Sequence, residues 1–328
     1  MRALLLAGCL CLAGPAQAQT AFTVYRGGCD GSAAAALDAE HFVVGNDDEN
    51  TLRVYRRGES DPRASLDLNP RLDTETSNKT GMPKEADIEG AARIGNRIYW
   101  IASHGRDSGG HKEPSRHRFF ATDIATAGAA LPDLKFAGRY RGDLVDDLLE
   151  QVSGLHLKEA AGLAPEQPGG LNIEGLAATP DGQLLIGFRN PRPAGRALVI
   201  PLKNPAELVD EGRKLKPLFG VPDRIFLGTR GIRSIDRVGD RYVIVAGPYN
   251  DGGAGLGGDF ALYTWSGPGG AAPKQDTSVA FGDFRPEALF ALASPQEVYV
   301  LSDDGTDACK KLPQAQKTFR GRAIRLSE

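Results

Sequence analysis

The sequence predicts an all-β fold, a propeller most simply built from five blades, and three observations lead to that prediction. The chain has 328 residues, of which 41 are glycine and 21 are proline, a content that disfavours a helical bundle. One hairpin-like unit recurs along the chain, and the second strand of each unit is apolar on both faces. Such a strand has to be buried on both sides by neighbouring sheets, and the stacked blades of a propeller bury it in this way.

Each repeated unit opens with a strand that carries a polar or charged residue near its start, and a hairpin turn such as Asp181-Gly182 leads to the apolar second strand. The first and second strands are predicted at 32–36 and 41–48, 87–92 and 98–104, 172–177 and 184–189, 231–235 and 243–247, and 285–289 and 298–304. Third strands are predicted at 51–56, 118–124, 197–202, 260–265 and 322–326. Fourth strands are predicted at 64–68, 134–140, 214–219 and 277–281.

Closure of the ring depends on an unassigned strand at 22–25, which precedes the first unit, while the last unit has only three strands. The simplest closure pairs this strand with the last blade. Cys29 and Cys309 then lie in loops on the same face of the seam. This placement predicts a Cys29–Cys309 disulfide, with two separate thiols as the alternative.

Residues 143–160 are the one stretch whose apolar positions follow helical spacing, and they lie between the second and third units. We interpret them as a helical insertion in a single propeller domain that covers residues 19–328. A sixth, weakly marked blade in this region is the structural alternative.

The first 18 residues have the pattern of a secretory signal peptide. Arg2 gives a positive start, residues 3–14 are apolar, and Ala-Gln-Ala at 16–18 is a cleavage pattern. The apolar run is too short to span a bilayer, so we expect a secreted or periplasmic protein that is not embedded in the membrane. The alternative is a lipoprotein acylated at Cys9, which ends a lipobox-like sequence.

The net charge of the chain argues against nucleic acid as a partner. Without residues 1–18 the chain keeps 38 of its 39 basic residues and all 42 acidic ones, a net charge of −4. A slightly acidic chain is a poor ligand for nucleic acid, and we expect none as a partner. We expect a monomer that binds a small anionic molecule or another extracellular ligand.

Polar residues concentrate where first strands begin and second strands end, and the propeller topology brings these positions to one face around the central channel. Several carboxylates at one channel mouth must pair with arginine, take up protons or hold a cation. Oxygen ligands suit Ca²⁺ or Mg²⁺. The metal ligands predicted on this basis are Glu89, Glu174, Glu287, Asn190 and Asp303. The alternatives are structural ion pairing and general acid or base chemistry.

The loop at 104–118 contains three of the five histidines and several basic residues. Next to a channel mouth, its arginines could bind phosphate or carboxylate groups. The alternative is a solvated loop without a ligand. The residues predicted to act in catalysis are His104, Arg106 and Arg189. The residues predicted to bind substrate are Arg116, Arg233 and Arg285.

Five segments resemble the bacterial family known as domain of unknown function 3616. They are DIEGAA at 87–92, IYWIASHGRDSGGHKEPSRHRFFAT at 98–122, NIEGLAATPDGQLLIGFRNP at 172–191, GIRSID at 231–236 and FRPEALF at 284–290. The resemblance implies an exported, propeller-like protein and no established activity. More remotely, Glu89-Gly90 and Glu174-Gly175 resemble the Glu-Gly pairs of calcium-binding propeller lactonases and esterase-like phytases, which implies a metal at or near these glutamates; position 233 is Arg instead.

The function expected from these features is hydrolysis of phosphoesters, esters or lactones, with a divalent cation at the polar channel mouth. The alternative is a propeller that binds a protein or a glycan without catalysis, because a propeller fold alone does not determine activity.

Overall fold

The computed structural model describes residues 21–74, 81–125, 131–250 and 259–327. Within these residues, twenty strands form five four-stranded antiparallel sheets, and the helices are few and short. The predicted five-bladed propeller is therefore confirmed. The segment predicted as a signal peptide, with the alternative acylation site Cys9, lies outside the described residues.

The blades follow one another along the chain. Blade 1 contains β2 (Ala33–Ala36), β3 (His41–Gly45), β4 (Thr51–Arg56) and β5 (Ala64–Asp67). Blade 2 contains β6 (Ile88–Ile94), β7 (Arg97–Ala102), β8 (Phe119–Ile124) and β9 (Leu134–Arg141). Blade 3 contains β10 (Asn172–Ala178), β11 (Leu184–Asn190), β12 (Ala197–Leu202) and β13 (Asp223–Ile225). Blade 4 contains β14 (Gly231–Val238), β15 (Arg241–Gly247), β16 (Ala261–Trp265) and β17 (Lys274–Gln275). Blade 5 contains β18 (Pro286–Ala291), β19 (Glu297–Ser302), β20 (Thr318–Arg325) and, from the other end of the chain, β1 (Thr23–Arg26).

The seam closes as predicted. β1 pairs with β20, with Thr23 opposite Gly321 and Arg26 opposite Thr318. Cys29 and Cys309 form the predicted disulfide, which joins positions 280 residues apart. The two ends of the chain therefore share one blade.

Two predicted fourth strands are wrong. The segment 214–219 is not a strand, since Phe219 makes only an isolated bridge and the fourth strand of blade 3 is β13 instead. The segment 277–281 is likewise not a strand, and blade 4 ends with the two-residue β17. The strands β13 and β17 are short and partly exposed, so they lack the continuous apolar run by which a buried strand is recognised.

The insertion between blades 2 and 3 contains α2 (Leu144–Gln151) and α3 (Leu157–Ala160). Leu144, Val145 and Leu148 of α2 are buried against the propeller. Three further helices, which the spacing does not predict, are α1 (Asn69–Leu72), α4 (Pro205–Asp210) and α5 (Asp307–Lys310). Across the described residues, no helix combines the length and the apolar content needed to cross a membrane.

Candidate functional site

A β-bulge occurs at the same place in the first strands of four blades. In β6, Ile88 pairs with Ala102 and Gly90 with Ile101, so Glu89 between them has no partner across the ladder. The shifts in β10, β14 and β18 displace Glu174, Arg233 and Glu287 in the same way. A bulge redirects a side chain out of the regular alternation. Four charged side chains are thereby brought together where the first strands of neighbouring blades meet.

The glycine after two of these glutamates has a packing reason. A Cβ atom on Gly90 would lie 2.8 Å from Cγ2 of Ile101 and 3.0 Å from Cβ of Leu176 in the next blade. A Cβ atom on Gly175 would lie 2.8 Å from Cγ2 of Ile232, again in the next blade. The Glu-Gly pair therefore combines a bulged acid with a close approach of neighbouring blades.

Three of the four bulged side chains, Glu89, Arg233 and Glu287, line a cavity of about 650 Å³, and Glu174 is bound to two arginines of its wall. Eleven carboxylate and five cationic side chains line it, and the cationic ones are Arg116, Arg189, Arg233, Arg285 and Lys310. Four of these five cations are arginines that the sequence assigned to catalysis or substrate binding. The excess of acid over base makes the cavity strongly electronegative.

Arginines pair with the carboxylates on one side of the cavity. Arg189 Nη1 lies 2.9 Å from Glu174 Oε1, and Arg233 Nε lies 3.3 Å from Glu174 Oε2. Arg233 Nη2 also donates to Glu287 Oε2, and Arg285 Nη2 lies 2.6 Å from Asp303 Oδ2. The structural ion pairing that the sequence left as an alternative is thus present here.

On the other side, the cations belong to loops. Arg116 Nη1 lies 3.1 Å from Asp87 Oδ2, and Arg116 Nη2 lies 3.2 Å from Glu85 Oε2. Lys310 Nζ lies 2.7 Å from Asp48 Oδ1. Lys310 follows Cys309 directly, so the disulfide helps to fix its position.

Three groups of carboxylates each bring one oxygen per residue within 4.8 Å of the others. They are Asp30–Asp47–Asp48, Asp47–Asp87–Glu89 and Glu89–Glu174–Glu287. The first group already contains the ammonium of Lys310, and the third contains the guanidinium groups of Arg189 and Arg233. The middle group has only Arg116, which binds Asp87. The least compensated negative charge therefore lies at the middle group.

Unsatisfied oxygens occur at this same place. Glu89 is 8% exposed, and its Oε2 has no hydrogen-bond partner among the described residues. Asp47 Oδ1 and Asn172 Oδ1 also lack a partner there, and Asn172 is 5% exposed. A buried oxygen without a donor is costly, and carboxylate and amide oxygens are ligands for hard divalent cations. The donor set fits Ca²⁺ or Mg²⁺.

The crowding of buried carboxylates also raises the pKa values of Glu89 and Asp47. Burial, followed by the charges of Glu174 and Asp87, raises the pKa of Glu89 well above its usual range. Burial and the neighbouring Asp48 raise the pKa of Asp47 to about 7. Carboxylates in this state either hold protons or bind a cation that replaces them.

Four residues assigned roles from the sequence do not line this cavity, and one of them is Glu174, which is 1% exposed and pairs with Arg189 and Arg233. His104 is buried, its Nδ1 lies 2.9 Å from the Ala102 carbonyl oxygen, and burial together with His117 lowers its pKa to about 3. Arg106 Nε donates to the Ala161 carbonyl at 2.8 Å. The side-chain amide of Asn190 donates to the carbonyls of residues 165 and 167. Arg106 and Asn190 thus fix the segment that follows α3.

Asp303, by contrast, lines the cavity beside Glu287, as predicted for the channel mouth. Asp30 and Lys310 were not singled out from the sequence. Each is adjacent to a cysteine of the disulfide, and this is the sequence signal that could have identified them.

Several solved structures resemble this chain. A glutaminyl cyclase from Myxococcus xanthus gives a TM-score of 0.45 at 10% identity, over 93% of this chain and 96% of the other. A PQQ-bound aldose sugar dehydrogenase from Streptomyces coelicolor gives 0.41 at 13% identity, over 95% and 100%. A luciferin-regenerating enzyme gives 0.42 at 8% identity, over 94% and 96%. No curated protein matches the sequence.

The family comparison covers the centre of the chain. Residues 135–296 match the family described as "Protein of unknown function (DUF3616)". This region begins in β9, at the end of blade 2, and extends to the turn before β19 in blade 5. The resemblance to this family is confirmed by the match, which contains three of the five resembling segments, at 172–191, 231–236 and 284–290.

Proposed function

We propose that this protein is a hydrolase of esters, lactones or phosphoesters that depends on a divalent cation, Ca²⁺ or Mg²⁺, at the channel mouth. Asp47, Asp87 and Glu89 would hold the cation, with Asn172 Oδ1 as a further oxygen in the same cavity. The proposal rests on Glu89, which is 8% exposed and has an oxygen without a partner among uncompensated carboxylates.

The choice of the middle carboxylate group follows from charge. The Lys310 ammonium would repel a divalent cation from Asp48, and Arg189 and Arg233 would repel it from Glu174. Arg116 is bound to Asp87 and Glu85, which leaves Asp47 and Glu89 without an ion pair to a cation of the described residues. A cation here would offset the largest unfavourable charge in the cavity.

Hydrolysis is the chemistry that such a site supports. A hard cation supplies polarisation of a carbonyl or phosphoryl oxygen. The chain's own contribution is a rigid frame, because the arginine pairs fix Glu174 and Glu287 beside the ligands. The cavity volume of about 650 Å³ is of the size that small-molecule sites have.

We further propose that the protein acts outside the cytoplasm. Two features support this location: the Cys29–Cys309 disulfide, a bond that persists in oxidising compartments, and the N-terminal pattern at 1–18.

The test compares hydrolysis of an aryl ester, a lactone and an aryl phosphate by protein stripped of metal, before and after addition of Ca²⁺ or Mg²⁺. We expect the cation to restore hydrolysis in the wild type and in Glu150→Gln, whose carboxylate is exposed on α2, but not in Glu89→Gln. Hydrolysis that is unaffected by chelator would contradict the cation dependence. Cation binding without hydrolysis of any ester would instead favour the non-catalytic binding propeller.

A further inference from the structure

We infer that the organic ligand of the channel cavity carries a positive charge, an ammonium or guanidinium group, and not the negative charge expected from the sequence. This inference rests on the proposed function, because it names the class of substrate for the same cavity. It assigns the preferred substrate to esters that contain a cationic group and disfavours phosphate monoesters.

The wall of the cavity carries an excess of negative charge. Eleven carboxylates face five cationic side chains, so six negative charges remain when all are ionised. One bound divalent cation offsets two of them and leaves four. Protonation of the deepest carboxylates reduces this excess without reversing it. A ligand with a negative charge would therefore enter against the field of the cavity, whereas a cation would be attracted.

The cationic groups of the wall are already bound to carboxylates. Each of the five has a carboxylate partner at hydrogen-bonding or ion-pair distance. An anionic ligand would have to displace one of these partners and leave a carboxylate without its counter-charge, which is costly in a partly buried site. Arg285 Nε is the exception, as a buried N–H without a partner, but its terminal nitrogen is bound to Asp303.

Buried acceptors without a donor outnumber the free donor Arg285 Nε in the described wall of the cavity. Asn172 Oδ1 is buried in the cavity wall and accepts no hydrogen bond from the described residues. Glu89 Oε2 is also buried and accepts no hydrogen bond from the described residues. Ammonium and guanidinium groups are pure hydrogen-bond donors and suit such a set.

The wall of the cavity already accommodates an ammonium group. Lys310 Nζ lies 2.7 Å from Asp48 Oδ1, and both residues line the cavity together with Asp47 and Asp30. The same carboxylates can therefore solvate a ligand amine. Towards solvent, the exposed Asp307 and the half-exposed Glu85 extend the negative surface along which a cation would approach.

The experiment uses three esters of one phenol: an uncharged acetate, an analogue with a trimethylammonium group on the acyl chain, and the phosphate monoester. All are measured with the full-length folded protein in excess Ca²⁺. We expect kcat/KM for the cationic ester to exceed that for the uncharged ester by about tenfold at 50 mM salt, and the ratio to fall at 300 mM as the field is screened. A higher kcat/KM for the phosphate monoester than for the cationic ester would overturn the inference.

A binding measurement separates this inference from the proposed function. Spermidine titrated into the protein should bind, and Lys310→Met should tighten that binding about fivefold by releasing Asp48, while the exposed Lys158→Met should leave it unchanged. If chelator does not affect hydrolysis but spermidine binds in this way, the cation dependence fails and the ligand charge stands. Absence of spermidine binding, or an equal effect of the two lysine substitutions, would overturn the inference itself.

Discussion

Replacing Arg233 by Met should destabilise the propeller strongly at pH 8 and much less at pH 5. Arg233 is 3% exposed and joins two buried glutamates, Glu174 and Glu287, from the blades on either side of it. Methionine retains much of the side-chain volume but removes the charge. The carboxylates of Glu174 in blade 3 and Glu287 in blade 5 then face each other, and only Arg189 is left to compensate Glu174.

The expected magnitude follows from the burial of the pair. Removing one partner of a buried ion pair costs about 3–5 kcal/mol, because the other charge is left without compensation. Burial already raises the pKa of Glu287 well above its usual range, and Arg233 is the main influence that lowers it. Without Arg233 the native state binds a proton more tightly than the unfolded state does, so the stability of the variant falls as pH rises. At pH 5 protonation should therefore recover at least about 1 kcal/mol.

The assay is urea denaturation followed by circular dichroism at pH 5 and pH 8. Arg325→Met, at an exposed arginine of β20, is the control and should change the free energy of unfolding by less than about 0.5 kcal/mol. The double variant Arg233→Met/Glu287→Gln should be more stable than Arg233→Met alone at pH 8. A loss below about 1 kcal/mol for Arg233→Met at pH 8, or an equal loss at the two pH values, would refute the reasoning.

Three further predictions concern the ring and its packing. Reduction of the disulfide, or Cys309→Ser, should lower the free energy of unfolding by about 4 kcal/mol, because the bond links positions 280 residues apart. An unfolding midpoint that does not change with reductant would contradict this prediction. Gly175→Ala should lower the free energy of unfolding by about 1–3 kcal/mol, because the new Cβ atom would lie 2.8 Å from the next blade. Gly142→Ala, whose Cβ atom would have its neighbours at 3.5 Å or more, is the control and should change stability little. Equal effects of the two substitutions in thermal melts would contradict the packing explanation. Burial raises the pKa of Asp236 to about 6, so the wild type should lose stability as pH rises from about 4 through 6. Asp236→Asn should remove up to about 3 kcal/mol of that pH-dependent loss. Parallel curves of stability against pH for the two proteins would contradict this prediction.

The buried strands could be predicted from sequence because burial on both faces leaves a continuous apolar run. The third strands of blades 1 and 3, β4 (Thr51–Arg56) and β12 (Ala197–Leu202), match their predicted bounds at both ends. The outer strands β13 and β17 could not be placed, since an exposed edge strand needs neither apolar residues nor length. Propeller closure followed from counting strands, because an unpaired sheet edge is unfavourable.

The site was predictable as far as the repeat extends. Glu89, Glu174 and Glu287 occupy equivalent positions of three units, and the structure brings their oxygens within 4.8 Å of one another. The β-bulge that brings these oxygens together was not predicted from the sequence. The bulge at Arg233 in β14 is followed by Ser234, so the bulge does not require a glycine after the charged residue. Lys310 comes from the seam and not from the repeat, so its place in the site depends on a disulfide that forms only in the closed ring.

The most direct test of the cation site is isothermal titration calorimetry of Ca²⁺ into protein stripped of metal. We predict one cation per chain in the wild type and in the exposed control Glu150→Gln, and at least about 100-fold weaker binding in Glu89→Gln and Asp47→Asn. At a Ca²⁺ concentration 100 times the wild-type Kd, thermal melts should show a stabilisation of about 2.7 kcal/mol in the wild type and about 0.4 kcal/mol in a variant weakened 100-fold. Absence of Ca²⁺ and Mg²⁺ binding to the wild type, or equal affinity in all four proteins, would contradict the site at Asp47, Asp87 and Glu89.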